Sequence, residues 1–145
     1  AAKRPERLAI LGELLRLEPV VGHLYRRATD DFTISDGDRQ IRVEAGDLVD
    51  LSIRDANADP AVVTPDPLGV CPGRALPPGV DATGLTFGDG AHAWPGRPLA
   101  LREADVLLTR LLALNPELVS EPELSWDDLI EGYALRGLTL RFPGP

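Results

Sequence analysis

Residues 87–96 read Phe87-Gly88-Asp89-Gly90-Ala91-His92-Ala93-Trp94-Pro95-Gly96, and Arg97-Pro98-Leu99 leads straight into the clearest helical pattern of the chain. The run closes a longer stretch, residues 59–96, that holds prolines 60, 65, 67, 72, 77, 78 and 95 and seven glycines. Such a composition reads as one long loop, and a loop of that length inside a domain is usually functional. Leu85, Phe87 and Trp94 supply apolar anchors that a disordered linker would lack. Over residues 98–114, Ala100, Ala104, Leu107, Leu108, Leu111 and Leu112 line one helical face. Arg102, Glu103, Asp105, Thr109 and Arg110 are expected on the opposite, solvated face. Pro98 suits a first turn, and Asn115-Pro116 ends the helix.

Upstream, residues 6–17 predict a second helix, with Leu8, Leu11 and Leu14 or Leu15 on one stripe and Glu18-Pro19 as the stop. Residues 23–29, 31–35, 39–43 and 47–53 predict four short strands, separated by the turn signals Ser35-Asp36-Gly37-Asp38 and Glu44-Ala45-Gly46-Asp47. Downstream, Ser125-Trp126-Asp127-Asp128 reads as a capping signal ahead of a short helical turn. Leu138, Leu140 and Phe142 alternate as a last strand. The expected fold class is α+β, one unit over residues 1–145, with a helix at each end of the sheet segment.

Of 145 residues, 43% are apolar and 26% charged, as in ordinary globular chains. No run approaches the ~18 apolar residues that a membrane span needs. Fifteen basic against 23 acidic residues give a net charge of −8, which repels phosphate backbones, so nucleic acid is not an expected partner. Cys71, the single cysteine, excludes an internal disulfide and a cysteine-rich zinc site, and fits a cytoplasmic protein. Its expected environment is that of a small buried residue. The absence of methionine predicts that Ala1 is not a natural start. Asp127, Asp128 and Glu131 read as a helix cap and a solvated face, and no metal-ligand cluster, P-loop or Ser/His/Asp arrangement is found.

Phe87-x-x-Gly90-x-x-x-Trp94-x-Gly96, followed by a helix, closely resembles the haem-binding loop of the cytochrome P450 superfamily, phenylalanine-x-x-glycine-x-x-x-cysteine-x-glycine. Two further stretches agree in order. Glu13-Leu14-Leu15-Arg16 is similar to the family's glutamate-x-x-arginine, and Ala56-Asn57-Ala58-Asp59-Pro60 to its alanine-asparagine-arginine-aspartate-proline. The resemblance implies the C-terminal part of a P450-like fold. It implies that Glu13 and Arg16, with Arg74 as third member, form a structural ion pair pinning the loop. It also places Arg26, within Arg26-Arg27-Ala28-Thr29-Asp30-Asp31, and His92 where the family holds haem propionates, and Phe87, Gly90, Trp94 and Gly96 around the haem.

The departure lies at the ligand. The family's cysteine position is Trp94, and an indole offers an N–H donor but no lone pair for iron. P450 oxygen chemistry depends on an anionic thiolate, stabilised beside a helix N-terminus. Cys71 shares the following Pro-Gly-Arg, yet Pro77-Pro78-Gly79 forbid a helix after it. No cofactor with thiolate ligation is therefore expected; haem held in another way is the alternative. The expected role is a non-catalytic helper in biosynthesis that binds a partner or a small molecule, against a haem-binding monooxygenase. Expected partners are the N-terminal P450 portion absent from these residues, another copy, or a partner protein.

Overall fold

The computed structural model describes residues 2–129 and 132–144. Helix α1 spans Arg4–Leu17. Pro5 sits in its first turn, and Glu6 reaches back to accept the Lys3 N–H at 2.8 Å, so the helix opens two residues earlier than the apolar stripe predicts. Four strands follow: β1 (His23–Arg27), β2 (Phe32–Asp36), β3 (Arg39–Val43) and β4 (Leu48–Ser52). They form two nested antiparallel pairs, with the β2–β3 hairpin inserted between the paired strands β1 and β4. Ile34 faces Ile41 and Leu24 faces Leu51 across these ladders.

Strand β4 stops at Ser52, whose hydroxyl accepts the Asp55 N–H and starts a short helix, α2 (Ile53–Asn57). The alternation through Ile53 predicts strand, and the cap overrides it. Residues 59–96 then run without helix or strand except for one 3₁₀ turn at Gly90–His92. Helix α3 covers Arg97–Ala113.

The C-terminal part repeats the nested topology: β5 (Glu117–Ser120) pairs with β8 (Thr139–Arg141), and the hairpin β6 (Glu123–Asp127) with β7 (Gly132–Arg136) lies between them in sequence. This corrects the expected helical turn after Ser125. Leu124 and Trp126 stand directly opposite Leu135 and Tyr133, and the Trp126 and Tyr133 rings meet edge-on with centroids 5.3 Å apart. Cross-strand aromatic pairing outweighs a capping signature; the Ser125 hydroxyl donates instead to the Ala134 carbonyl. Glu131 lies outside the described residues.

Helices α1 and α3 pack together, and their junction is ionic. Arg7 on α1 grips Asp105 on α3 through two hydrogen bonds, at 2.6 and 3.1 Å, with Arg4 at 3.7 Å. Asp105, expected on the solvated face, is only 5% exposed. Leu107 and Leu112, expected on the packed face, are open to solvent. Ala100, Ala104 and Leu111 of the same stripe are half-buried.

Among the described residues, four apolar side chains are buried (Leu11, Val43, Ile53 and Val63) against five polar ones (Glu13, Arg16, Asn57, Thr83 and Asp105). A compact chain of this size exposes about 7,250 Å², whereas this one exposes 10614 Å². No helix among the described residues is long and apolar enough to cross a membrane.

Candidate functional site

The buried polar core is built around one carboxylate. Glu13 projects from α1 into the proline-rich segment, 3% exposed, beside Arg16 at 1%. The two meet in a fork: Arg16 Nε donates to Glu13 Oε1 at 2.8 Å and a terminal nitrogen to Oε2 at 3.1 Å. Spacing i, i+3 places both on one helix face. Arg74, 58 residues beyond Arg16 in sequence but buried at its side chain, donates to Oε2 from Nε at 3.3 Å and from a terminal nitrogen at 3.1 Å. The Cys71 N–H adds a bond at 2.9 Å. Burial opposes ionisation of Glu13, but the Arg16, Cys71 and Arg74 donors overcome it and hold its pKa at about 2.

The two arginines spend their remaining donors on loop carbonyls. Arg16 reaches Asn57 O and Pro67 O, each at 2.8 Å, and Arg74 reaches Pro65 O, Asp66 O and Gly69 O. A segment without regular secondary structure thereby has its carbonyls satisfied from side chains. Asn57 extends the network. Its amide donates to Arg16 O at 3.0 Å and accepts the Leu85 N–H at 2.7 Å, which joins α1, α2 and the entry to the loop. Thr86 closes the ring by donating to Leu15 O at 2.6 Å. The role of Asn57 was hidden in the sequence, where it is one polar residue in a motif; its buried amide is explained by partners 28 and 41 residues away.

Gly88 turns the loop at φ +73°, where a Cβ would stand 2.9 Å from the His92 carbonyl, so only glycine fits. Trp94 donates its backbone N–H to Phe87 O at 2.8 Å, and their rings stack at 5.8 Å with planes 15° apart. Trp94 is nevertheless 53% exposed. At the head of α3, Arg97 pairs with Asp81 at 2.5 Å. Burial raises the Asp81 pKa, but the Thr83 N–H and hydroxyl and Arg97 bring it below the usual carboxylate range.

Beneath the loop lies a cavity of about 460 Å³ whose walls include Val62, Val63, Val80 and Leu85, with Asp81 and Arg97 also among its lining. Of the residues expected around haem, Phe87 lines it; Arg26, His92, Gly90, Trp94 and Gly96 do not. Arg26 lies exposed on β1 and donates to the carbonyl of Tyr25 at 2.8 Å. His92 is exposed at the end of the 3₁₀ turn. No hydrogen bond or ion pair among the described residues joins Arg26 to His92. Cys71 is exposed, a correction to the expected buried thiol: its backbone, not its sulfur, is what the Glu13 cluster holds. No group of three or more metal-ligating side chains occurs among the described residues.

The sequence model of the Cytochrome P450 family matches residues 7–114. Steroid 21-hydroxylase of Homo sapiens is 38% identical over 112 residues, covering 77% of this chain and 22% of that protein. The probable cytochrome P450 308a1 of Drosophila melanogaster is 34% identical over 109 residues, 72% of this chain and 22% of that protein. This chain therefore spans about a fifth of the length of the curated relatives it matches. Among solved structures, P450BioI in complex with hexadec-9Z-enoic acid ligated acyl carrier protein superposes with a TM-score of 0.77 at 26% identity, over 97% of this chain and 34% of that one. CYP164A2 of Mycobacterium smegmatis gives 0.73 at 33% identity, over 94% and 33%.

Proposed function

This chain belongs to the cytochrome P450 family, and we propose that within it the chain serves a protein that has given up haem-thiolate ligation and works as a non-oxygenating helper, binding and stabilising a biosynthetic partner enzyme. The observation that supports this reading is the motif resemblance of residues 87–96, which aligns Trp94 with the family's cysteine and keeps Phe87, Gly90, Gly96 and the following helix. The donor set does not fit a haem-thiolate centre. The indole lone pair belongs to its ring system. Cys71, the single sulfur donor of the chain, sits in the segment whose backbone the Glu13 cluster fixes, with no helix following it. No oxygen chemistry is routed through this site.

The remaining partners follow from the exposed surface. The exposed apolar side chains of α3, among them Leu99, Val106, Leu107 and Leu112, call for a cover, whether the rest of a P450 fold, a second copy or the partner enzyme.

A second reading, a haem-binding monooxygenase, draws support from Arg26 and His92 at the family's propionate positions and from relatives whose names are hydroxylases. Titrating hemin into the full native chain separates the two. The helper reading expects no stoichiometric complex with a defined ligand-field spectrum. Such a complex with wild-type protein rejects it in favour of the second reading.

A further inference from the structure

The loop holds its shape by contacts of its own. Its two aromatic residues are joined twice: by the Trp94 N–H to Phe87 O hydrogen bond at 2.8 Å and by the ring stack at 5.8 Å. The indole then lies back over Gly96, so close that a Cβ there would stand 2.4 Å from Cζ2 and 2.7 Å from Cε2 and Cη2. Gly96 is also the residue that caps α3. The indole thus takes the place at the head of α3 that any larger residue at 96 would contest. The Arg97–Asp81 pair ties the same helix start to the proline-rich segment.

We propose that Trp94 is the internal lock of this loop: its indole, stacked on Phe87 and seated over Gly96, holds residues 87–97 in their folded path with no cofactor bound. The inference rests on the thiolate-free reading above and deepens it. The contacts it invokes, an aromatic pair and a glycine seat, all come from the chain's own residues. Gly96 is the surface that receives the indole.

Hydrogen exchange of the backbone amides in the full native chain, free of haem, tests the lock. The Trp94 amide should be protected in the wild type and unchanged by added hemin. Trp94→Ala removes the stack, and Gly96→Ala leaves the indole intact but evicts it from its seat. Each should speed exchange of the loop amides about tenfold, by loss of a stacked aromatic pair. Trp94→Phe, which can still stack, should retain most of the protection. The Cys71 amide, held by Glu13, is the internal control and should not respond. If either alanine variant also frees the Cys71 amide, the chain has unfolded, and the comparison moves to Trp94→Phe against Trp94→Leu, where only the leucine should loosen the loop. An unprotected Trp94 amide in the haem-free wild type, or loop exchange indifferent to both alanine variants, overturns the lock. Neither result touches the hemin titration, so the lock and the helper reading can fail separately.

Discussion

Glu13 stays ionised inside the protein because N–H donors from Arg16, Arg74 and the Cys71 backbone replace the water it has lost. Its pKa of about 2 lies below the ordinary 4.5, so the unfolded chain takes up the proton first as pH falls. The stabilisation is present above about pH 4.5 and is lost as pH drops toward 2. By linkage it amounts to about 3 kcal/mol, at 1.36 kcal/mol per unit. Urea midpoints of the full native chain, followed from pH 6 down to pH 2, should fall accordingly. Glu13→Gln should lower stability at pH 7 by about 3–5 kcal/mol, because it leaves two buried guanidinium groups without their counter-charge. It should also flatten the acid limb. A variant whose stability keeps the wild-type slope below pH 4.5 contradicts the assignment of that limb to Glu13.

At the scale of elements, the links between helices and hairpins come from side chains far apart in sequence. Arg7 and Asp105 join α1 to α3 across 98 residues, and Arg7 holds the Asp105 carboxyl below its ordinary range against the effect of burial. In a double-mutant cycle with Arg7→Ala and Asp105→Ala, the double variant should lose less stability than the two single losses added; strict additivity contradicts a direct link. In the β6–β7 hairpin, Trp126→Ala should remove about 0.5–1.5 kcal/mol beyond its area term. It should also weaken the near-ultraviolet signal of Tyr133, which lies under the Arg54 guanidinium at 5.1 Å. A signal unchanged in that variant contradicts the pairing. These contacts also explain which elements could be read from the sequence. Helices α1 and α3 and strands β1–β4 carry their periodicity locally, so they were legible to within a few residues. Strands β5–β7 were not, because their order depends on partners such as Leu135 for Leu124 rather than on their own pattern. The burial of Asp105 had no local signal, since its explanation is an arginine near the other end of the chain. In the candidate site, the sequence pointed to Glu13, Arg16 and Arg74, which the fold brings into contact. Asn57 and the Asp81–Arg97 pair emerged only when the loop was folded around them.

At the scale of the whole molecule, surface is the dominant fact. The 10614 Å² exposed, against about 7,250 Å² for a compact chain of this size, includes Leu99, Leu107, Leu112 and Leu114 on and beside α3. Fully burying a leucine contributes about 1.5–3 kcal/mol, and these side chains, more than half exposed, forgo much of it in isolation. The isolated 145-residue chain should therefore associate or lose fixed packing. Light scattering with near-ultraviolet circular dichroism should report oligomers or weak aromatic bands; a monomer with sharp bands and cooperative unfolding contradicts this. The same surface is the one that the proposed helper role would present to a partner. The most direct measurement is the carbon monoxide difference spectrum of the full native chain, incubated with hemin and reduced. The account predicts no thiolate-type Soret band in the wild type, with Trp94→Cys as the variant able to gain one. A thiolate-type band from the wild-type protein contradicts it.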